Sequence, residues 1–444
     1  MPRSRKRARR FHQNGGTQVY DAVIFDLDGT LTNSEKGITA CAAYALKKMG
    51  RPVPPPDTLR RFIGPPLSES FARYCGMDEA ETWKAVELYR ERYHPIGWKE
   101  NQVYPGIRAL LRMLHEAGIK VLVATGKPVM PSEKILTYFR LRPYIDGIAG
   151  PTPEDERGDK ALLIRRVLEG QNVKSAVMIG DRASDIQGAR EADIDGIGVR
   201  YGFGEPDEFD ALGCPVADSP ETLCEMLLGK KLETKGYFIS IEGLDGCGKT
   251  TQSNAIAQAL RDFGYTVRRS REPGGCPISE KIRNLLLDIN NKGMSDITEA
   301  LLYAASRAQH VRQVIRPAID RGEVVLCDRF VDSSVAFQGG GRELGVSLIQ
   351  QINAPAVEGC LPDTTVLLRL DHETALRRRA NASALDRIES EAAAFHARVE
   401  AAYDEIASRD PGRFILADAR EAPQYITEKI LSALFDRMDQ AGVV

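Results

Sequence analysis

Residues 243–251 read Gly-Leu-Asp-Gly-Cys-Gly-Lys-Thr-Thr. A glycine, four further residues and then Gly-Lys-Thr is the spacing of a loop that wraps phosphate oxygens. Its glycines let backbone N–H groups close around an anion without Cβ clashes. The whole run is assigned to nucleotide phosphates: Gly243, Asp245, Gly246, Cys247, Gly248, Lys249, Thr250 and Thr251. Lys249 is expected to reach the β- and γ-phosphates and Thr250 to hold Mg²⁺. An apolar run precedes the loop and helical periodicity over 251–263 follows it. Strand, loop and helix in that order aim a helix N-terminus at phosphate, so this half of the chain is expected to bind a nucleoside triphosphate.

A second set of residues lies far upstream. Residues 21–32 read DAVIFDLDGTLT, which places Asp26 and Asp28 just past a buried-type strand. Two carboxylates so spaced can face one pocket and share a Mg²⁺. A purely structural role would leave costly unpaired buried acids. Thr125 follows another strand in VATGKP, Lys160 opens an amphipathic helix in GDKALLIRRVLE, and Asp181 and Asp185 follow the strand AVMI in GDRASD. In a doubly wound sheet, residues just beyond strand C-termini converge on one crevice.

The elements that must position these residues alternate between apolar strand-like runs and helical stretches, which implies an α/β fold with parallel sheets covered by helices. In the first half the expected strands are 22–25, 120–124, 145–149, 176–179 and 195–199. A helical insertion with helices at 38–49, 66–74 and 79–93 forms a cap over about 34–102. The pattern restarts at 236, with strands at 237–241, 266–270, 323–327 and 364–370. Two doubly wound parallel-sheet domains are expected, 19–228 and 236–444, joined by a polar linker at 229–235.

The bulk properties set limits. With 43% hydrophobic and 27% charged residues, the 444-residue chain has ordinary globular composition. No apolar run approaches the roughly 20 residues of a membrane span, and no signal-type segment follows the basic start, so a cytoplasmic protein is expected. Eight cysteines with no CxxC pair suit reduced thiols. A net charge of −2 gives no nucleic-acid signal outside residues 1–18, whose six basic residues are expected to form a disordered tail.

The amino-terminal set resembles the haloacid dehalogenase superfamily of phosphohydrolases over about 20–228. That resemblance implies a Rossmann-like core, with Asp26 as nucleophile forming an aspartyl-phosphate and Asp28 as acid and then base. Thr125 and Lys160 would hold phosphoryl oxygens. Asp26, Asp28, Asp181 and Asp185 would serve Mg²⁺. The segment Phe62-Ile-Gly-Pro-Pro-Leu67 is similar to the cap of the phosphoglycolate phosphatase-like branch, whose members are often described as 5′-nucleotidases. A nucleoside monophosphate or phosphoglycolate is therefore the implied substrate. The alternative is a non-catalytic domain that senses a phosphorylated metabolite and regulates the other half.

In the second half, REPGG at 271–275, Asp328-Arg329-Phe330, FQGGGR at 337–342 and LDRIE at 385–389 accompany the phosphate loop. Tyr303 and Arg307 share one helical face at i, i+4. Together these closely resemble thymidylate kinase over about 236–436, a P-loop nucleoside monophosphate kinase. The resemblance implies ATP, Mg²⁺ and dTMP as ligands and a homodimer formed through this domain. It places Arg271, Glu272, Arg329 and Ser333 at the acceptor monophosphate, Asp245 at the 3′-hydroxyl, Tyr303 stacked on thymine, and Arg307 and Gln338 on the base edge. The phosphate loop lacks the arginine of one branch, so a lid cation is required. Arg379, then Arg378, is expected to supply it, since Asn381, Ala382 and Ser383 stand where lid arginines usually occur.

Overall fold

The computed structural model describes residues 20–151, 159–205, 207–379, 387–388 and 391–443. These divide into two compact units, one ending at Leu232 and the other starting at Glu233.

The first unit contains β1 (Ala22–Phe25), β2 (Thr32–Asn33), β3 (Gln102–Val103), β4 (Lys120–Ala124), β5 (Gly147–Ala149), β6 (Ala176–Gly180), β7 (Asp195–Val199) and β8 (Val216–Ala217). Six of them form one sheet in the order β5-β4-β1-β6-β7-β8, every neighbouring pair parallel. Both faces are covered by helices. The central strands therefore read as unbroken apolar runs, AVIF in β1 and AVMIG in β6, with every residue buried. From β1 the chain steps to β4 and β5, then crosses back to β6, so the order reverses around β1. The C-terminal ends of β1, β4 and β6 meet there.

The insertion leaves and re-enters the core through the antiparallel ribbon β2–β3, with Thr32 opposite Val103. Helices Glu35–Lys48, Pro56–Arg60, Leu67–Cys75 and Glu79–Tyr93 pack around an apolar cluster that includes Ile38, Leu46, Phe62, Phe71 and Tyr89. The Glu79–Tyr93 helix starts on a capping box in which Asp78 accepts from the Glu81 backbone N–H and Glu81 accepts from that of Asp78.

The second unit contains β9 (Tyr237–Glu242), β10 (Val267–Arg271), β11 (Val324–Asp328), β12 (Thr364–Arg369) and β13 (Phe414–Asp418). Its all-parallel sheet has the order β10-β11-β9-β12-β13. Central β9 is buried throughout, whereas edge strand β10 reads VRRSR and is partly exposed, the charged edge that discourages further pairing. Two wide π-helical turns, Val311–Ile315 and Val335–Gly341, interrupt its helices.

Sequence pattern misses β2, β3, β8 and β13. The first three are two residues long, while β13 is an edge strand, FILAD, with Leu416 exposed. The strand expected over 145–149 begins at Gly147, because a 3₁₀ turn at Arg142–Tyr144 precedes it. Among the described residues, no helix is long and apolar enough to cross a membrane.

Candidate active sites

Asp26 follows β1, Thr125 follows β4 and Asp181 follows β6, so three strand ends deliver them to one crevice. Lys160, at the start of helix Lys160–Leu168, reaches in from the side. Its ammonium donates to Asp26 Oδ1 at 3.0 Å and to the Ala124 carbonyl at 3.0 Å, and it pairs with Asp185 Oδ1 at 2.7 Å. Thr125 is buried, and its hydroxyl oxygen accepts from the Lys127 backbone N–H at 3.2 Å. Gly29 (φ +88°) turns the chain after Asp28. A Cβ there would lie 2.1 Å from Asp181 Oδ2, so only glycine fits.

Asp26, Asp181 and Asp185 each bring a carboxylate oxygen within 4.8 Å of the others. Burial, reinforced by Asp185 and Asp28 against the pull of Lys160, raises Asp26 to about 6. Burial, then repulsion from Asp26 and Asp185, raises Asp181 to about 8. Asp181 Oδ1 is buried with no hydrogen-bond partner. Crowded acids with an orphaned oxygen fit a hard divalent cation with oxygen ligands.

Asp28, also expected among the cation ligands, does not bring its carboxylate into that group of three. Its Oδ2 pairs with Lys127 Nζ at 2.9 Å, while Oδ1 is buried without a partner. Leu27 separates the two acids, and both line one cleft: Asp26 pairs with Lys160 and Asp28 with Lys127. Lys127 also donates to the Tyr93 hydroxyl at 3.1 Å, on the last residue of a cap helix. Neither Lys127 nor Tyr93 was singled out from sequence, although Lys127 lies inside the VATGKP stretch. Above them opens a cleft of about 2080 Å³, lined by Phe62, Tyr93, Trp98, Arg60, Lys127 and Arg182 among others.

In the second unit, β9 leads into the phosphate loop, and Gly248 (φ +95°) caps helix Lys249–Asp262. Lys249 Nζ donates to the carbonyls of Gly243 (3.1 Å) and Leu244 (2.8 Å) and to Asp245 Oδ1 (3.2 Å). Thr250 and Thr251 are exposed in the first turn of that helix, Cys247 is buried and Gly246 partly so. Asp245 Oδ1 also accepts from Arg329 at 2.7 Å. Burial opposes ionisation, but Arg329 and Lys249 hold the carboxyl far below the usual range.

Arg329 follows β11 with φ +67°, a strained setting for a non-glycine residue. It also donates to the Ser333 hydroxyl at 3.3 Å and lies 5.1 Å from the Phe337 ring centroid. Ser333 in turn donates to Glu242 Oε2 at 2.6 Å. Glu242 also accepts from the Phe330 N–H and the Tyr403 hydroxyl, and burial raises it to about 7. Tyr403, 70 residues beyond Ser333, carries no local motif that could have flagged it.

Arg271 is exposed and pairs with Glu280 at 3.1 Å, whereas Glu272 is buried. Tyr303 is partly buried on helix Asp296–His310. Arg307 and Gln338, expected at the base edge, both hold partners within the protein. Arg307 is fully buried and donates to Glu272 Oε2 (2.8 Å), Ser334 Oγ (3.1 Å), the Phe330 carbonyl (3.1 Å) and Asn353. Gln338 gives its amide to buried Glu299 at 2.8 Å. Both side chains are thus fixed by partners on several elements, Arg307 on helix Asp296–His310 and Gln338 on the Val335–Gly341 turn.

Arg378 is exposed and donates to the Ala419 carbonyl at 2.8 Å, beside β13. The Arg379 side chain, and Asn381, Ala382 and Ser383, lie outside the described residues. Further on, Arg387 pairs with Glu299 at 2.7 Å.

These two constellations have close counterparts. A family model described as thymidylate kinase matches residues 241–430, and one described as haloacid dehalogenase-like hydrolase matches 23–199. The thymidylate kinase of Limosilactobacillus fermentum is 46% identical over 205 residues, 46% of this chain and 96% of its own length. That of Geobacter sulfurreducens is 44% identical over 209 residues, 46% of this chain and 98% of its own. Among solved structures, a predicted phosphatase from Clostridium acetobutylicum is 40% identical and covers 48% of this chain and 100% of its own, with a TM-score of 0.45. The identity and coverage of the kinase relatives, with both family matches, assign each half: the chain belongs to the thymidylate kinase family through its second unit, and its first unit is a haloacid dehalogenase-like hydrolase domain.

Proposed function

We propose that the second unit transfers the γ-phosphoryl group of ATP to dTMP. The Lys249–Asp245–Arg329 chain carries this reading. One carboxylate draws together a lysine of the donor-phosphate loop and an arginine assigned to the acceptor phosphate. The two phosphates would meet across Asp245, and the protein's work is positioning and charge neutralisation. Thr250 would hold a Mg²⁺ whose charge would offset that of the donor phosphates. Arg271, Arg329 and Ser333 orient the acceptor, and Tyr303 supplies a π-face for the base. Exposed Ile278, Leu285, Ile289 and Leu301 on neighbouring helices support a homodimer through this unit.

The first unit, on this reading, hydrolyses a phosphomonoester. Asp26 attacks phosphorus, and the bond to the leaving oxygen breaks as Asp28 gives that oxygen a proton. Asp28 then takes a proton from water, whose oxygen attacks the acyl phosphate and releases Asp26 and phosphate. Thr125 and Lys160 hold the phosphoryl oxygens. A Mg²⁺ bound by Asp26, Asp181 and Asp185 would offset the negative charge gathered there. The size of the cleft and its mixture of aromatic and cationic residues favour a nucleoside monophosphate over phosphoglycolate. Among the described residues no cysteine forms a disulfide, which fits a cytoplasmic setting.

The test is a nucleotide panel. ADP formation by the intact chain should be fastest with dTMP. Lys249→Ala protein should release phosphate from dTMP, dUMP or other monophosphates, with Asp26→Asn as the blank. Preference for another acceptor would sink the kinase assignment. Release confined to phosphoglycolate would sink the nucleotide assignment, and no release at all would leave a sensing domain.

A further inference from the structure

His310, the last residue of helix Asp296–His310, is completely buried, and nothing in the proposed reaction uses it. Its Nδ1 lies 2.9 Å from Glu272 Oε1, and its Nε2 lies 2.6 Å from the Ser270 hydroxyl. Glu272 accepts from Arg307 through its other oxygen and from the ring Nδ1–H through this one, while Nε2 shares a hydrogen bond with the Ser270 hydroxyl. The order Ser270–His310–Glu272 has the connectivity of a nucleophile, a base and an orienting acid. Access excludes that role. Gly275 (φ +83°) packs over the pair so closely that a Cβ there would lie 2.5 Å from both Ser270 Oγ and His310 Nε2, which leaves no room for a substrate carbonyl or phosphorus.

What the array does is join two parts of one binding site. Ser270 and Arg271 end strand β10, and the 271–275 loop runs on from it with its Glu272 N–H bonded to the Asp328 carbonyl. Helix Asp296–His310 carries Tyr303 two turns before His310 and Arg307 one turn before it. Further bonds reach the same helix: the Gly274 N–H of the loop donates to Ser306 Oγ at 3.3 Å, and Ser279 Oγ, on the following helix Pro277–Leu287, donates to the Ser306 carbonyl at 2.8 Å. The imidazole thus sits where the phosphate-gripping loop meets the base-facing helix.

We propose that His310 is a positioning residue for the acceptor: by bonding Ser270 and Glu272 together, it fixes the separation between the phosphate grip at Arg271 and the base platform at Tyr303. This rests on the reading of dTMP as acceptor. A rigid spacer makes the two ends of one ligand bind as a unit, so the affinity gained from the phosphate adds fully to that from the nucleoside. Without the spacer, each end still binds while their mutual support is lost.

The experiment is calorimetric binding of thymidine and dTMP to the full chain, with ATP kinetics alongside. The variants are His310→Gln, His310→Asn and Ser270→Ala, the last at a partly exposed site that leaves the Glu272 bonds intact. The expected result is a dTMP-over-thymidine preference reduced about tenfold, equal to about 1.4 kcal/mol, with thymidine affinity and KM for ATP within about twofold of the parent. Equal losses for thymidine and dTMP, or an unchanged preference with only a lowered Tm, would overturn the proposal and make the array part of the core alone. If the parent chain prefers another monophosphate, the acceptor reading falls. The same comparison with that monophosphate and its nucleoside still decides the role of His310.

Discussion

Arg329 donates to Asp245 Oδ1 at 2.7 Å from a backbone held at φ +67°. The strained backbone lets the guanidinium return toward the phosphate loop while the Arg329 backbone N–H donates to the Ile241 carbonyl of β9. Removing the side chain should lower kcat/KM for dTMP on the order of 10²-fold, as for loss of one charge-stabilising donor. Arg329→Lys should recover little, because an ammonium lacks the planar fork that serves Asp245 and Ser333 together. Full activity in the lysine variant would show that charge alone suffices.

Tyr303 offers a ring face, and its hydroxyl is not required for stacking. Tyr303→Phe should leave KM for dTMP nearly unchanged, whereas Tyr303→Ala should raise it about tenfold, the magnitude of one aromatic stacking contact. Steady-state kinetics with dTMP varied and ATP saturating checks this. Equal behaviour of the two variants would remove Tyr303 from the base site.

The acidic cluster of the first unit predicts a pH-dependent response to cations. Folding raises Asp26 to about 6 and Asp181 to about 8, mainly through burial, so the folded chain holds these protons more tightly than the unfolded one. Their contribution is fully present below the ordinary carboxylate range near 4 and is lost as pH rises toward 8. Chelator-treated protein should therefore show a falling Tm of the first unit between about pH 5 and pH 8. Added Mg²⁺ should raise Tm more at pH 8 than at pH 5. A Mg²⁺ effect independent of pH would argue against cation binding at this cluster.

Lys127 orients the Asp28 carboxyl, the proposed proton donor, through a 2.9 Å ion pair and touches the Tyr93 hydroxyl of the cap. Lys127→Met should slow hydrolysis of alkyl phosphates about 10²-fold, the usual range for general acid catalysis. Hydrolysis of p-nitrophenyl phosphate, whose leaving group needs little protonation, should fall much less. Equal losses for both esters would mean that Lys127 supports the fold instead of the proton transfer.

Gly29 has no tolerance for a side chain. Gly29→Ala would drive a methyl into Asp181 and strain a left-handed turn, which should abolish phosphate release while dTMP phosphorylation persists. Assaying both activities on one preparation checks it.

Much of this arrangement is legible in sequence because strand ends deliver the reactive residues. β1, β4, β6 and β9 are buried on both faces, so their apolar runs stand out, and the polar residue that ends each run is conspicuous. Lys249, Asp26 and Asp181 follow from that logic. Arg307 shows its limit: the i, i+4 spacing with Tyr303 is real, but spacing cannot reveal that Glu272, Ser334 and Asn353 converge on the guanidinium from three other elements. Asp28 likewise follows its strand as expected, yet its pairing with Lys127, from the loop after β4, has no local signature. Tyr93, His310 and Tyr403 act through partners distant in the chain, where no local pattern betrays them.

Each sheet is completed by strands from its own half of the polypeptide, with none exchanged between halves among the described residues. One message therefore makes both catalysts in equal number. Gene dosage and translation rate can raise or lower the pair together but cannot alter their ratio. Any shift in the balance of the two activities must come from substrate supply or from the kinetic constants written into each half.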